Sequence, residues 1–187
     1  VTAHPGDRRA VDALRMRAEA LREEGRILDA AVAHEGLADV EALEGPVRRA
    51  ALAEAVARYR AAQETRAEAR VLERIANEDP RPIEVMEAQW RLAELASLQS
   101  DDGAERRRWL RALIATEAAM GGENDDRARW LAAHAALVVA EPTRAGFEAI
   151  ALARPLEESV TRKRAAMEQA RAACAGHRIG ALVACGG

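Results

Sequence analysis

The sequence is poor in aromatic residues, and this limits the core that it can build. Phenylalanine, tryptophan and tyrosine together make up 3% of the 187 residues, with three tryptophans, one tyrosine and one phenylalanine. The apolar set reaches 49%, but alanine dominates it. Aromatic side chains bury the largest areas in a core. We therefore expect a thin core in which helices pack close together through small side chains.

Long apolar runs are also missing. No segment approaches the roughly 20 apolar residues that a helix needs to cross a bilayer, so no membrane span is predicted. The first residues, from Val1 to Asp7, contain no hydrophobic signal core. Two locations therefore stay open: the cytoplasm, or the periplasm and envelope if a signal was removed.

Cysteine is scarce, which argues against a metal site or a disulfide framework. The two cysteines, Cys174 and Cys185, lie near the C-terminus in no CxxC pattern, with His177 between them. A structural zinc site needs about four ligands, and disulfide frameworks are usually denser in cysteine. The sequence predicts no metal and a structural or incidental role for both thiols.

Patterns that carry enzyme chemistry do not occur either. The sequence has no HExxH, no GxSxG, no phosphate-binding glycine loop and no Cys–His nucleophile pattern. His34 and His134 fall on apolar helical stripes, where we expect a buried neutral imidazole with one hydrogen bond. The prediction is therefore that the protein is not an enzyme and binds no cofactor.

Charged residues are plentiful and evenly mixed in sign. The chain has 28 basic and 31 acidic residues, a formal net charge of -3, and a single lysine, Lys163. This balance is not that of a general nucleic-acid binder. We expect the acidic groups at 101–102 and 123–126 to cap helices rather than to bind calcium. The basic triplets at 106–108 and 162–164 are expected to be solvated faces; binding an acidic partner or phosphates is the alternative.

Helical periodicity is clearest between Ile83 and Met120. Apolar residues recur there at three- and four-residue spacing in two runs, separated by a polar turn at 100–103. The first run holds Ile83, Met86, Trp90, Ala93 and Ala96, and the second holds Trp109, Leu113 and Met120. Together with Trp130, the tryptophans are expected to add bulk to an alanine-rich core; the alternative is a cluster that anchors a partner.

Similar turns recur along the chain at a nearly constant interval. Their centres, near residues 25, 63, 101 and 141, are 38, 38 and 40 positions apart. Such a period predicts an all-α solenoid of about four stacked antiparallel helix hairpins, followed by a long C-terminal helix from Leu156. The other expected boundaries include helices at 7–24, 27–43, 47–62 and 65–77, a turn at Glu141-Pro142, and a short helix at 143–153.

We expect one domain over residues 1–175 and a short tail over 176–187. The tail is small and apolar, and it is expected to be poorly ordered or tucked against the last helix. The only strand candidate in the whole chain is the stretch 179–183, inside this tail.

The repeated unit resembles the tetratricopeptide repeat family, whose helix-turn-helix pattern has small residues where two helices cross and a proline at the exit. Its period exceeds the family's usual length of about 34 residues, so the resemblance is to a TPR-like protein. The positions that match are Leu14, Ala18, Leu21, Gly25, Ala30 and Leu37 in the first unit, Leu52, Tyr59, Leu72, Ile75 and Pro80 in the second, and Leu92, Ala93 and Ala96 in the third.

A second likeness covers residues 106–170. The stretches 107–110, 129–133, 155–156 and 163–167 are similar to segments of the large envelope-associated tetratricopeptide proteins of myxobacterial gliding and secretion machinery. In those proteins further repeats follow. This likeness implies a role in an envelope-associated assembly.

The resemblance implies a protein–protein interaction scaffold. Neighbouring helices of such a stack form a groove, in which a peptide or a partner helix is held by arginine–carboxylate pairs and a few apolar anchors. The candidate partner-binding residues are Arg15, Arg58, Arg91, Arg129, Trp90 and Trp130. The alternative function is a helical oligomerisation or assembly segment of a larger complex, which would make the chain a homo-oligomer.

Overall fold

In a computed structural model, residues 8–40, 43–99, 103–121 and 126–175 are described, and they form eight α-helices without a strand. The all-α class is therefore confirmed for the described residues. The strand candidate at 179–183, in the 176–187 tail, lies outside them. The helices are α1 (Arg8–Glu23), α2 (Ile27–Ala38), α3 (Gly45–Ala61), α4 (Thr65–Glu78), α5 (Pro82–Gln99), α6 (Ala104–Ala119), α7 (Asp126–Glu148) and α8 (Leu156–Ala175).

The turns that follow α1 and α3 have the same geometry. After α1, the amide of Gly25 donates to the Arg22 carbonyl and the amide of Arg26 to the Leu21 carbonyl. After α3, Gln63 and Glu64 donate in the same pattern to the carbonyls of Arg60 and Tyr59. This is the Schellman motif, which needs a left-handed residue after the helix. Gly25 (φ +74°) and Gln63 (φ +59°), 38 positions apart, supply it.

Packing divides the chain into two compact units, Val1–Leu95 and Ala96–Gly187. In the first unit consecutive helices pack together from α1 to α4. Its core mixes alanines with a few large side chains, as the composition predicts. The core includes Ala18, Ala30, Ala31, Leu52, Ala55, Val56, Tyr59, Val71, Leu72 and Met86.

The second unit packs α6 on α7 and α7 on α8. Its core is made of Trp109, Leu110, Leu113 and Ile114 of α6 with Ala128, Leu131, Ala132 and Ala135 of α7. The start of α8 is joined to the end of α7 by polar contacts. The ammonium of Lys163 donates to the Ile150 carbonyl over 3.1 Å, and the Ser159 hydroxyl donates to the Ala153 carbonyl over 2.8 Å.

The predicted turn at Glu141-Pro142 is wrong. Instead of ending before Glu141, α7 runs without interruption to Glu148, with Pro142 inside it. A proline inside a helix removes one backbone hydrogen bond and costs about 3 kcal/mol. Packing of α7 against both α6 and α8 offsets that loss. Residues 143–148 of the predicted short helix at 143–153 are therefore the last part of α7, and residues 149–153 are not helical.

The predicted end of α2 is also wrong. The helix stops at Ala38, where Asp39 is the C-cap, and not at residue 43. The chain then turns, with the amide of Val40 donating to the Leu37 carbonyl and the amide of Leu43 donating to the Val40 carbonyl. This turn buries Leu43. If α2 continued to residue 43 as predicted, this tight turn could not form.

None of the helices in the described ranges is long and apolar enough to cross a membrane. This agrees with the lack of long apolar runs in the sequence.

Candidate peptide-binding groove

A groove with a volume of about 380 Å³ lies among α3, α4 and α5 in the first unit, and we call it the α3–α5 groove. Its apolar lining comes from Ala53, Val56, Leu72, Ile75, Ala88 and Trp90. Its charged lining comes from Arg49, Arg60, Arg81, Arg91, Asp79, Glu84, Glu87 and Glu94. Four arginines and four carboxylates therefore surround an apolar surface.

A buried carboxylate holds two of these arginines. Glu68 of α4 is only 1% exposed. It accepts a hydrogen bond from Nε of Arg60 over 2.9 Å and from Nε and Nη2 of Arg91 over 2.7 and 3.2 Å. Because Arg60 is on α3 and Arg91 on α5, one carboxylate joins three helices.

The protonation state of Glu68 follows from these contacts. Burial alone would raise its pKa, but the hydrogen bonds from Arg91 and Arg60 outweigh burial and leave the pKa below its usual range. The carboxylate is therefore charged at neutral pH. Two guanidinium groups held by one buried charge have little freedom to rotate, and this reduces the entropy lost when they bind a partner.

The loop before α5 forms one edge of the groove. The Asp79 carboxylate accepts from the Arg81 amide over 2.9 Å and from its Nη2 over 2.8 Å. Arg81 also forms an ion pair with Glu84 at 2.9 Å. The hydrogen bonds from the Arg81 side chain lower the pKa of Asp79. The charges at this edge are consequently neutralised within the chain.

Trp90 and Arg49 are the groove residues best suited to contact a partner. Trp90 is half-buried, and its indole nitrogen donates to Glu94 over 3.0 Å. Arg49 lines the groove and is half-buried. Within the described part of the chain, no carboxylate forms an ion pair with Arg49. A carboxylate of a partner could therefore accept hydrogen bonds from Arg49 without displacing an internal ion pair.

Two of the six predicted partner-binding residues, Trp90 and Arg91, line this groove. The other four do not. Arg58 forms an ion pair with Glu54 on its own helix at 2.7 Å, and Arg15 pairs with Asp12 on α1. Arg129 pairs with Asp126 and belongs, with Trp130, to the second unit.

Sequence reasoning missed Glu68, Arg60 and Arg49. A signal for Glu68 was present, because residues 68, 71, 72 and 75 form a helical stripe whose other members are all apolar. A lone carboxylate on a buried stripe needs a cationic partner. No comparable signal marks Arg60 or Arg49, because both lie among other arginines on an ordinary charged helix.

The tryptophans differ in environment. Trp109 is buried, as expected for a residue that adds bulk to the core. Trp130 is 44% exposed, and its ring lies 4.0 Å from that of His134 and 4.7 Å from the Arg127 guanidinium. His134 is exposed as well, so its predicted burial is wrong. Helix α7 buries the face that carries its small residues, and His134 and Trp130 lie on its exposed face.

His34 is buried, as predicted, but without the expected hydrogen bond. Neither of its ring nitrogens has a hydrogen-bond partner among the described residues. Burial lowers the pKa of His34, with Glu54 opposing and Arg58 adding to the shift. The imidazole is therefore neutral at pH 7.

In the described ranges, no group of three histidine, cysteine or acidic side chains lies close enough together to hold a metal ion. The predicted acidic caps at 101–102 and 123–125, together with Cys185 and His177, lie outside those ranges, and the side chain of Cys174 is not described either.

Comparison of the chain with family models, with curated proteins and with solved structures gives no match.

Proposed function

We propose that the protein is a protein–protein interaction scaffold of the TPR-like type, and that its α3–α5 groove binds a peptide segment of a partner protein. The observation that carries this proposal is the buried Glu68, which fixes Arg60 and Arg91 beside an apolar surface. The repeated Schellman turn, 38 residues apart, supports the hairpin repeat. We assign binding and no catalytic step to the groove.

The chemistry of the groove selects the kind of segment that fits. A guanidinium has five N–H donors, so Arg91 keeps donors after it has bonded to Glu68 and Glu94. Arg49 has no internal ion pair in the described chain. The segment would therefore carry at least one carboxylate for Arg49, together with an apolar side chain beside Trp90 and Ile75.

Arg49→Ala is the sharpest test of this groove, because Arg49 does not contribute to the internal ion pairs of the described chain. Peptides would be selected from a displayed library against the unaltered protein and their affinity measured by isothermal titration calorimetry. We expect Arg49→Ala to weaken binding about tenfold, since it removes a charge-assisted hydrogen bond, and to leave the melting temperature unchanged.

Arg66→Ala is the matched control. Arg66 is an exposed arginine on α4 that does not line the groove. The Arg66→Ala variant changes the net charge by the same amount as Arg49→Ala but leaves the groove intact. Its affinity for the peptide should therefore stay within about twofold of that of the unaltered protein. If both variants weakened binding equally, the effect would come from net charge and the groove would lose its assignment.

The alternative is an assembly segment of a larger, envelope-associated complex, and one observation favours it. Leu28 and Val32 are exposed large apolar residues one turn apart on α2. An apolar stripe of this kind can bury itself against a second copy. Sedimentation velocity over a hundredfold concentration range separates the two functions. A chain that stays monomeric rules out self-assembly, whereas a stable dimer that Val32→Glu dissociates supports it.

A further inference from the structure

The second unit contains a groove of a different chemistry, between the start of α6 and the C-terminal half of α7. This α6–α7 groove has a volume of about 470 Å³. It is lined by Gly103, Arg106, Arg107, Leu137, Val138, Glu141 and Pro142. None of these residues lines the α3–α5 groove, so the two can be tested separately.

Arg106 and Arg107 give this groove its positive charge. Both are half-buried, and neither forms an ion pair with any carboxylate in the described chain. Gly103 makes room for one of them, because a Cβ on Gly103 would lie 3.1 Å from Nη1 of Arg107. The one acidic lining residue, Glu141, is already paired with Arg144 at 2.6 Å. Two guanidinium groups therefore face the groove without a counter-charge from it.

The opposite wall is apolar and contains a main-chain acceptor whose usual helical donor is replaced by a proline. Leu137 is 52% exposed and lines the groove. Pro142 lies inside α7 and has no amide hydrogen. The carbonyl of Val138, four residues earlier, consequently lacks the donor that a helix would normally give it. The groove thus combines two cationic donors, an aliphatic side chain and a backbone acceptor.

We propose that the α6–α7 groove is a second binding site, which takes an acidic peptide segment with two carboxylates next to an aliphatic side chain. The carboxylates bind Arg106 and Arg107, where charge-assisted hydrogen bonds are strongest because the guanidinium groups are partly desolvated. The aliphatic side chain packs on Leu137 and Val138. A peptide amide of the segment donates to the Val138 carbonyl. The chain would then hold two different partner segments at once.

The probe for this site is a fluorescein-labelled peptide with two adjacent aspartates followed by leucine, in a glycine-serine background. Its binding to the full chain is measured by fluorescence anisotropy, beside a matched peptide in which asparagines replace the aspartates. We expect saturable binding of the aspartate peptide, at least about tenfold weaker binding of the asparagine peptide, and weaker binding as salt is raised.

The double variant Arg106→Ala, Arg107→Ala tests the two donors. It should fold, since neither arginine has an internal ion pair in the described ranges, and it should bind the aspartate peptide about tenfold more weakly. Arg162→Ala, Arg164→Ala removes the same charge from exposed positions on α8 and should change affinity by less than about twofold. Leu137→Ala should weaken binding about fivefold without altering the circular dichroism spectrum.

Several outcomes would overturn the proposal. It fails if the unaltered chain shows no saturable binding, or if the asparagine peptide or the Arg106/Arg107 double variant binds as well as its reference. A single-stranded oligonucleotide that binds more tightly than the peptide, and is lost in the same variant, would assign the arginines to phosphates. A dimer that the double variant dissociates would assign the groove to a second copy of the chain.

Discussion

The two units differ in how their helices are joined. In the first unit, described ion pairs reach between helices: Glu68 joins α3, α4 and α5, and Glu35 of α2 accepts from Tyr59 of α3 and Arg70 of α4. In the second unit, every described ion pair lies within one helix, at three- or four-residue spacing. Exposed ion pairs within a single helix contribute little to stability.

The two units therefore show two ways of holding one helix against another: packing of apolar side chains, and a buried carboxylate shared between helices. Apolar and small side chains give the second unit its stability, yet they tolerate small shifts of one helix along its neighbour. A buried carboxylate shared by two helices does not, because any shift leaves a charge without its partner. The groove of the first unit is therefore held by specific polar contacts, which also orient the arginines that we assign to binding.

Leu131→Ala should have the largest effect on stability, because it removes a fully buried side chain from the apolar core of the second unit. Replacing a buried leucine by alanine costs about 3 kcal/mol through lost burial and the cavity left behind. Urea denaturation followed by circular dichroism measures the loss. Leu137→Ala, on the exposed face of the same helix, is the control and should cost less than about 0.5 kcal/mol.

Glu68→Gln tests the polar contacts of the first unit. It removes the charge shared by Arg60 and Arg91 but keeps nearly the same shape, and we expect a loss of about 2 kcal/mol because two partners are left without their counter-charge. The same urea titration applies. Glu105→Gln, which affects the exposed pair with Arg108 in the second unit, should leave the midpoint unchanged; equal losses in both variants would abolish the contrast.

Acid should weaken the first unit in two steps. Burial keeps the pKa of His34 in the folded state below its ordinary value of 6.5, so the unfolded chain takes up a proton first and stability falls as pH drops below about 6.5. The pKa values of Glu35 and Glu68 are also lowered, from 4.5. Their contribution is present above about pH 4.5 and is lost as pH falls through the lowered folded values.

The variant His34→Leu separates these steps, because it should remove the loss that begins near pH 6.5 and leave the one below 4.5. Melting temperatures between pH 7.5 and 3.5 provide the measurement. Glu68→Gln should instead flatten the lower step. If His34→Leu melted with the unaltered pH dependence, another group would be responsible for the first step.

Gln63→Gly has the smallest expected effect and concerns a feature that both units share. In the described chain, three helices are followed by a left-handed residue: after α1 and α6 it is a glycine, Gly25 and Gly121, and after α3 it is Gln63. Glycine adopts this conformation without strain, so Gln63→Gly should stabilise the protein by about 0.5–1 kcal/mol. Gly25→Ala should destabilise it by about the same amount. A melting curve at neutral pH detects both changes.

Much of the first unit could be predicted from the sequence, because its signals are local. The apolar spacing fixes the helices, and the turn at Gly25 and its counterpart at Gln63 follow from the 38-residue interval. The ion pairs could not be predicted. Glu35 and Arg70 are 35 positions apart, and only the packing of α2 beside α4 makes them neighbours.

Errors in the second unit have a common cause. Trp130 and His134 were expected to lie on the buried face of α7, and Pro142 was expected to end the helix. In the structure, close packing selects the alanine face instead, because small residues let helices approach. That approach supplies the contacts that carry the helix through Pro142. Tertiary packing outweighed both local signals.

Lys163 gives the second unit a chemical handle. It is the only lysine of the chain, and its ammonium contacts both the Ile150 carbonyl and, at 5.0 Å, the Phe147 ring. Amine-reactive reagents therefore meet a single ε-amino group. Acylation there removes the positive charge and two of the three donors, so the rate of modification reports how often the joint between α7 and α8 opens.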